Sequence, residues 1–129
     1  DGMSLAPGPP SGYVIRFTNG LVVYLTGDSG IHAEMQTLAR DFYKAHVMEL
    51  NYGSSALSPE GAAYVVNTLV QPVAVILSHV NEAATEGGKV RAGTRSAKFI
   101  ELVRGRPVHP AVSGKTMEFD GKGKCVAGC

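Results

Sequence analysis

Asp28 and His79 are the two residues of this chain whose types and settings could do chemistry together. Asp28 stands in Thr26-Gly27-Asp28-Ser29-Gly30, just past the apolar run Leu21-Val22-Val23-Tyr24-Leu25. His79 follows Val73-Ala74-Val75-Ile76-Leu77-Ser78. Each sits beyond the end of an apolar strand, and open α/β sheets place ligands outside the carboxyl ends of their strands. If both strands lie in one sheet with the same polarity, a carboxylate and an imidazole converge there. Such a pair can ligate a first-row metal or act as orienter and base. The plainer alternative is that Asp28 caps the following helix and His79 is a loop histidine.

The other candidates are weaker. His32 lies in the first turn after Asp28 and could join the same rim, although a solvent-facing helix residue fits it as well. Asn81 and Glu82 follow His79 in a loop and could support a ligand or touch substrate. His46 precedes a strand and His109 lies between Val108 and Pro110, so both read as structural. The serines lack the Gly-x-Ser-x-Gly elbow of a serine hydrolase. No Gly-x-Gly-x-x-Gly or Gly-Lys-Ser/Thr phosphate loop is present, which disfavours a nucleotide binder.

The elements that must position these residues are legible in order. Residues 1–12 hold Pro7, Gly8, Pro9, Pro10 and Gly12 and read as an irregular lead-in. Tyr13 to Thr18 and Leu21 to Leu25 should form a hairpin around Asn19-Gly20, the signal of a type I′ turn. Ile31, Met35, Leu38, Ala39 and Phe42 recur at helical spacing, and Asp28 or Ser29 could cap that helix. A strand follows from His46 to Leu50, then a polar loop. Ser58-Pro59-Glu60 opens a second helix with Ala62, Val65, Val66 and Leu69 inward. Residues 73–77 are a central strand by their β-branched run, and residues 80–93 are a loop. A third helix runs from about Thr94 to Arg104, and short strands are expected at Val108 and Met117–Phe119.

Strands alternating with helices after a hairpin define an α/β layered domain with helices on one face of a mixed sheet. The strands at 21–25 and 73–77 are apolar on both faces, so the second face needs a cover that no further helix supplies. One domain is expected over residues 1–120, with a flexible tail at 121–129.

Composition narrows the class. The 129 residues are 44% hydrophobic and 18% charged, ordinary for a globular chain and too apolar for disorder. A net charge of +1 with scattered basic residues gives no nucleic-acid surface. No run reaches the roughly 20 apolar residues of a membrane span. The first residues do not form a signal peptide, which tips expectation toward the cytoplasm. Asp1 is no natural start residue, so a piece of a longer protein is expected. Cys125 and Cys129 sit close together near the end and make no disulfide framework.

Gly20 to Gly30, then helix and strand, then Ser58-Pro-Glu-Gly-Ala-Ala63 and Val75-Ile-Leu-Ser-His79, resemble the carboxyl-terminal half of a metallo-β-lactamase-fold hydrolase. The resemblance covers roughly residues 13–120 and is nearest the lactonase-like and phosphodiesterase-like metal-dependent hydrolases. It implies half of a four-layer αββα sandwich, with Asp28 as the ligand bridging two metals and His79 as a ligand of the second. The implied cofactor is zinc, or manganese, activating water to attack an ester, lactone, amide or phosphodiester of a small-molecule substrate.

The family's His-x-His-x-Asp-His signature is absent, and none of His32, His46, His79 and His109 replaces it by motif. Because a catalytic zinc takes about three protein ligands, metal binding and activity should be weak or absent in this chain alone. The resemblance also implies a partner for the uncovered sheet face, either the missing amino-terminal half or a second copy. The competing function is a non-catalytic α/β module for binding or assembly.

Overall fold

The computed structural model describes residues 11–53, 57–80 and 82–129; Asn81 and the side chain of Glu82 lie outside the described residues. Five strands form the principal sheet: β1 (Tyr13–Arg16), β2 (Val22–Leu25), β3 (Val47–Asn51), β4 (Ala74–Ser78) and β7 (Val108–Pro110). They lie in the order β1-β2-β3-β4-β7. β1 pairs antiparallel with β2, whereas β2, β3, β4 and β7 run parallel, so the sheet is mixed.

The opening hairpin forms, with a different turn. Gly20 N–H donates to the Phe17 carbonyl and Phe17 N–H to the Leu21 carbonyl, and only Gly20 carries a positive φ, of 90°. A type I′ turn needs positive φ at both central residues. Here Thr18-Asn19 turn with ordinary backbone and Gly20 supplies the left-handed residue, a longer loop with a glycine bulge. Asn19 keeps its usual geometry because its side-chain oxygen accepts from Leu21 N–H at 3.1 Å.

Each parallel crossover carries a helical connection. The first is the π-helical segment Met35–Phe42. The second is helix α1 (Pro59–Tyr64), continuing as the π-helical segment Val65–Val70. The third is helix α2 (Arg95–Leu102). Ser58 caps α1 by accepting from Gly61 N–H at 3.0 Å with Pro59 at the first position, and Thr94 caps α2 by accepting from Ala97 N–H at 3.2 Å.

The first connection departs from expectation. Its helical part starts at Met35, with no side-chain cap, so neither Asp28 nor Ser29 caps it. Its turns close i→i+5, as in Tyr43 N–H to the Leu38 carbonyl, which rotates residues off a 3.6-residue stripe. Met35 and Ala39 are buried while Ile31, Leu38 and Phe42 are exposed.

The core lies between the helices and one sheet face. Val22 and Tyr24 of β2, Met48 and Leu50 of β3, and Val75 and Leu77 of β4 meet Met35, Ala62, Val65, Val66 and Phe99. On the other face the end nearest the hairpin loop is covered, by a device the sequence did not announce. Residues 121–129, expected as a flexible tail, include β9 (Cys125–Ala127), which pairs with β8 (Glu118–Phe119). Asp120 Oδ1 holds the turn by accepting from Lys122 and Lys124 N–H at 2.9 Å each, bonds that keep its carboxyl below the usual range. Phe119 packs on Leu21, Val47 and Ala74, and Cys125 is disulfide-bonded to Cys129. The loop at 80–93 also has structure, a small hairpin of β5 (Thr85–Glu86) and β6 (Lys89–Val90).

Phe99 is fully buried and stacks on Tyr52 at 5.2 Å, whereas Phe42 is 69% exposed. Phe99→Ala should therefore cost about 3–5 kcal/mol, by transfer and cavity terms together. Phe42→Ala should stay within about 0.5 kcal/mol. Urea denaturation of the two variants checks the ranking, and equal losses would contradict this core.

Candidate metal centre

Parallel pairing settles the relation between the two candidate ligands. Leu25 is level with Glu49, and Glu49 with Ile76, so three residues further on Asp28, Tyr52 and His79 stand at one carboxyl rim. The ends of β2 and β4 that carry them are separated by β3, that is by two strand spacings or about 9–10 Å. Both residues are exposed, and among the described residues no hydrogen bond or ion pair joins them.

The backbone beneath Asp28 is firmly held. Thr26 is 1% exposed; its N–H donates to the Glu49 carbonyl, and its hydroxyl oxygen accepts from Asn51 N–H at 3.0 Å. Ser29 Oγ donates back to the Thr26 carbonyl at 3.0 Å. The turn is thus tied to both its own strand and β3, leaving the Asp28 carboxylate free to face outward.

His79 is held more tightly still. Its φ of 56° is left-handed, a sparsely populated setting for a residue other than glycine. Gly53 permits it: a Cβ there would collide with the His79 carbonyl oxygen and come within 2.7 Å of the ring carbon Cγ. Nδ1 lies 2.7 Å from Asn51 Oδ1. With that oxygen as acceptor, Nδ1–H donates and Nε2 keeps its lone pair for a ligand, the orienting arrangement metal-binding histidines commonly have. Beside them on the open face, Ser78 Oγ hydrogen-bonds Glu49 Oε1.

His32 does not join this rim. Its Nδ1 pairs with Glu34 Oε2 at 3.1 Å, and a backbone hydrogen bond, with this pairing behind it, holds the Glu34 carboxyl below its ordinary range. It lines a separate concavity of about 310 Å³ with Tyr24, Leu38 and Tyr43. The buried hydroxyl of Tyr24 there is pushed up by desolvation and by Glu34. Asn81 and the side chain of Glu82 cannot be placed at the rim, since they lie outside the described residues.

His46 and His109 are structural, as expected. His46 Nδ1 accepts from Val22 N–H at 3.0 Å at the start of the sheet, the end opposite the rim. His109 packs edge-on to Phe119 with Nε2 buried and unpartnered, and burial lowers its pKa.

Two residues that contribute to this end of the sheet carried no motif: Arg95 and Ser96. Tyr52 Oη donates to the Arg95 carbonyl at 3.1 Å and its ring lies 5.1 Å beneath the Arg95 guanidinium. Arg95 in turn donates to the Leu57 carbonyl at 2.7 Å. The only sequence signal was the third helix, expected from about Thr94.

No family model matches the chain. Over 114 residues, 87% of the chain, it is 28% identical to a UPF0173 metal-dependent hydrolase of Polynucleobacter asymbioticus, covering 38% of that protein. Similar proteins of the same name occur in Roseiflexus castenholzii, 34% identical over 61% of the chain, and Caldivirga maquilingensis, 39% over 57%. The chain covers 32% of each of those two. It thus spans about a third of the length of the curated relatives it matches. The resemblance seen in the sequence is borne out: the relatives are metal-dependent hydrolases of a metallo-β-lactamase-fold family, and the match falls on their carboxyl-terminal part.

The orientation of His79 is directly testable. Long-range nitrogen–proton NMR should find the Nδ1–H tautomer in the wild-type chain and a mixture in Asn51→Ala. An unchanged tautomer in the variant would remove Asn51 as the orienting residue.

Proposed function

We propose that this chain is the carboxyl-terminal part of a metal-dependent hydrolase in which Asp28 and His79 are metal ligands. The observation that carries the reading is the parallel β2-β3-β4 pairing, which brings an aspartate and an oriented histidine to one rim. The names of the relatives favour it over a non-catalytic binding module.

Carboxylate and imidazole suit zinc, with manganese a second choice for the carboxylate. The donor set of this chain is incomplete, however. Among the described residues no three His, Cys, Asp or Glu side chains cluster to hold an ion, and a zinc centre takes three or four protein ligands. The remaining ligands would come from outside the described residues, and the chain alone should hold metal weakly. When bound, a divalent metal supplies Lewis-acid polarisation and an activated water, suited to an ester, lactone, amide or phosphodiester. What this chain contributes is orientation: Thr26 fixes the turn carrying Asp28, and Asn51 with Gly53 fixes the His79 ring.

Zinc titration of wild type, Asp28→Ala and His79→Ala tests the assignment. Each substitution should weaken binding by more than the roughly 10–100-fold typical of losing a ligand's supporting partner. Equal binding in all three would overturn it.

The open sheet face extends the same reading. Tyr13, Ile15 and Phe17 are 64%, 40% and 47% exposed, and Val23, Leu25 and Ile76 are half-buried beside them. So apolar a face on a sheet is ordinarily packed against another layer. In this reading the cover is a second sheet from the remainder of the parent protein, making the four-layer sandwich, and the relatives are long enough to supply it. The isolated chain should then bind an apolar dye or self-associate, and Leu25→Lys should reduce both. A compact monomer without dye binding would sink the idea.

A further inference from the structure

The β8–β9 hairpin carries both cysteines of the chain, which the metal assignment does not use. Its two ends are held by different means. At the turn, Asp120 Oδ1 accepts from Lys122 and Lys124 N–H, and Asp120 N–H donates to the Lys124 carbonyl at 2.9 Å. Gly123 presses on His46 there, so closely that a Cβ would come within 2.8 Å of the His46 Cβ. At the other end, outside the strand ladder, Gly128 and Cys129 make no backbone hydrogen bond among the described residues. What returns Cys129 to the strand is the bond from its Sγ to that of Cys125. Gly128 lies between them at a φ of 77°, and a Cβ there would collide with the Thr116 carbonyl oxygen.

Beside this end lies a cavity of about 350 Å³ whose walls include His109, Pro110, Thr116, Met117, Gly128 and Cys129. We propose that the Cys125–Cys129 disulfide is a redox clasp. While closed it keeps Gly128 and Cys129 seated as one wall of the cavity; a small-molecule thiol that reduces it releases that wall and admits water to His109.

Two independent observations carry the proposal. The first is access. Cys129 is exposed and Cys125 half-buried, so a thiolate can attack from the Cys129 side. Two thiols supply two electrons and two protons; the S–S bond breaks, both cysteines become thiols, and the reductant leaves as its own disulfide. The second is a load on the closed form. His109 Nε2 is buried without a partner among the described residues. A buried polar atom left unpaired costs free energy that water would recover, which biases the seat toward opening once the clasp is gone.

The switch is local, because the Asp120 turn needs no disulfide and the ring closed by the bond holds only Val126, Ala127 and Gly128 between its cysteines. Restraint of so short a loop is worth roughly thirtyfold in the opening equilibrium. The inference stands whether or not Asp28 and His79 bind metal.

Mass spectrometry and amide hydrogen exchange on the whole chain, oxidised and then reduced with dithiothreitol, test the clasp. The oxidised chain should be lighter by two hydrogens. On reduction the β9 amides paired with β8 should exchange about thirtyfold faster, while those of β3 and β4 stay unchanged. The Cys125→Ser, Cys129→Ser double variant should match the reduced chain without any reductant. His109→Phe, which puts carbon where Nε2 stands, should cut the gain on reduction about fivefold. Free thiols in the air-oxidised chain, unchanged exchange on reduction, or faster exchange spread through β3 and β4 would each overturn the clasp. An undiminished gain in His109→Phe would overturn the role given to His109.

Discussion

Everything at the functional end of this molecule depends on the parallel register of β2, β3 and β4. Parallel strands end together, so the residues that follow them share one rim. Leu25, Glu49 and Ile76 are level, and the chain just past the strand ends carries Asp28, Tyr52 and His79 to one rim. A shift of one strand by a single residue would turn its side chains to the opposite face. Packing forbids that shift, because Val22, Tyr24, Met48, Leu50, Val75 and Leu77 all enter the same core.

The helices serve that register and also furnish the rim. Each crossover lies on the same sheet face, as right-handed βαβ connections advancing in one direction require. Their starts therefore gather at the carboxyl ends of the strands, which is why the first turn of α2 meets Tyr52 and His79. Phe99, one turn further along α2, stacks on Tyr52 and ties the helix to β3. Core packing and rim geometry are thus two ends of one contact.

The opposite face has a different logic. The β8–β9 hairpin covers the end near Leu21, Val47 and Ala74, held by Asp120 on two backbone N–H groups. Toward β1 the face stays apolar and open, with Tyr13, Ile15 and Phe17 exposed. Placing the rest of the parent protein there unites the open face with the incomplete ligand set: one missing layer would supply both.

The sequence by itself determined what short-range signals encode. The hairpin, the Ser58 cap, the β-branched strand and the position of Asp28 and His79 after strands all follow from local propensity and spacing. The structural roles of His46 and His109 were legible from their neighbours as well. Local pattern misjudged the helix after Asp28, because i→i+5 winding moved Leu38 and Phe42 off the expected stripe. It also read residues 121–129 as a tail, since the hold of Asp120 on Lys122 and Lys124 N–H and the seat of Phe119 are contacts no periodicity shows. Tertiary structure alone decided that His32 turns to Glu34, that Asn51 orients His79, and that Tyr52, Arg95 and Ser96 close a cavity. Those pairings join residues 28 and 43 positions apart or hang on the exact pitch of one turn. They are fixed by the summed packing of the whole sheet, which no single stretch of the sequence contains.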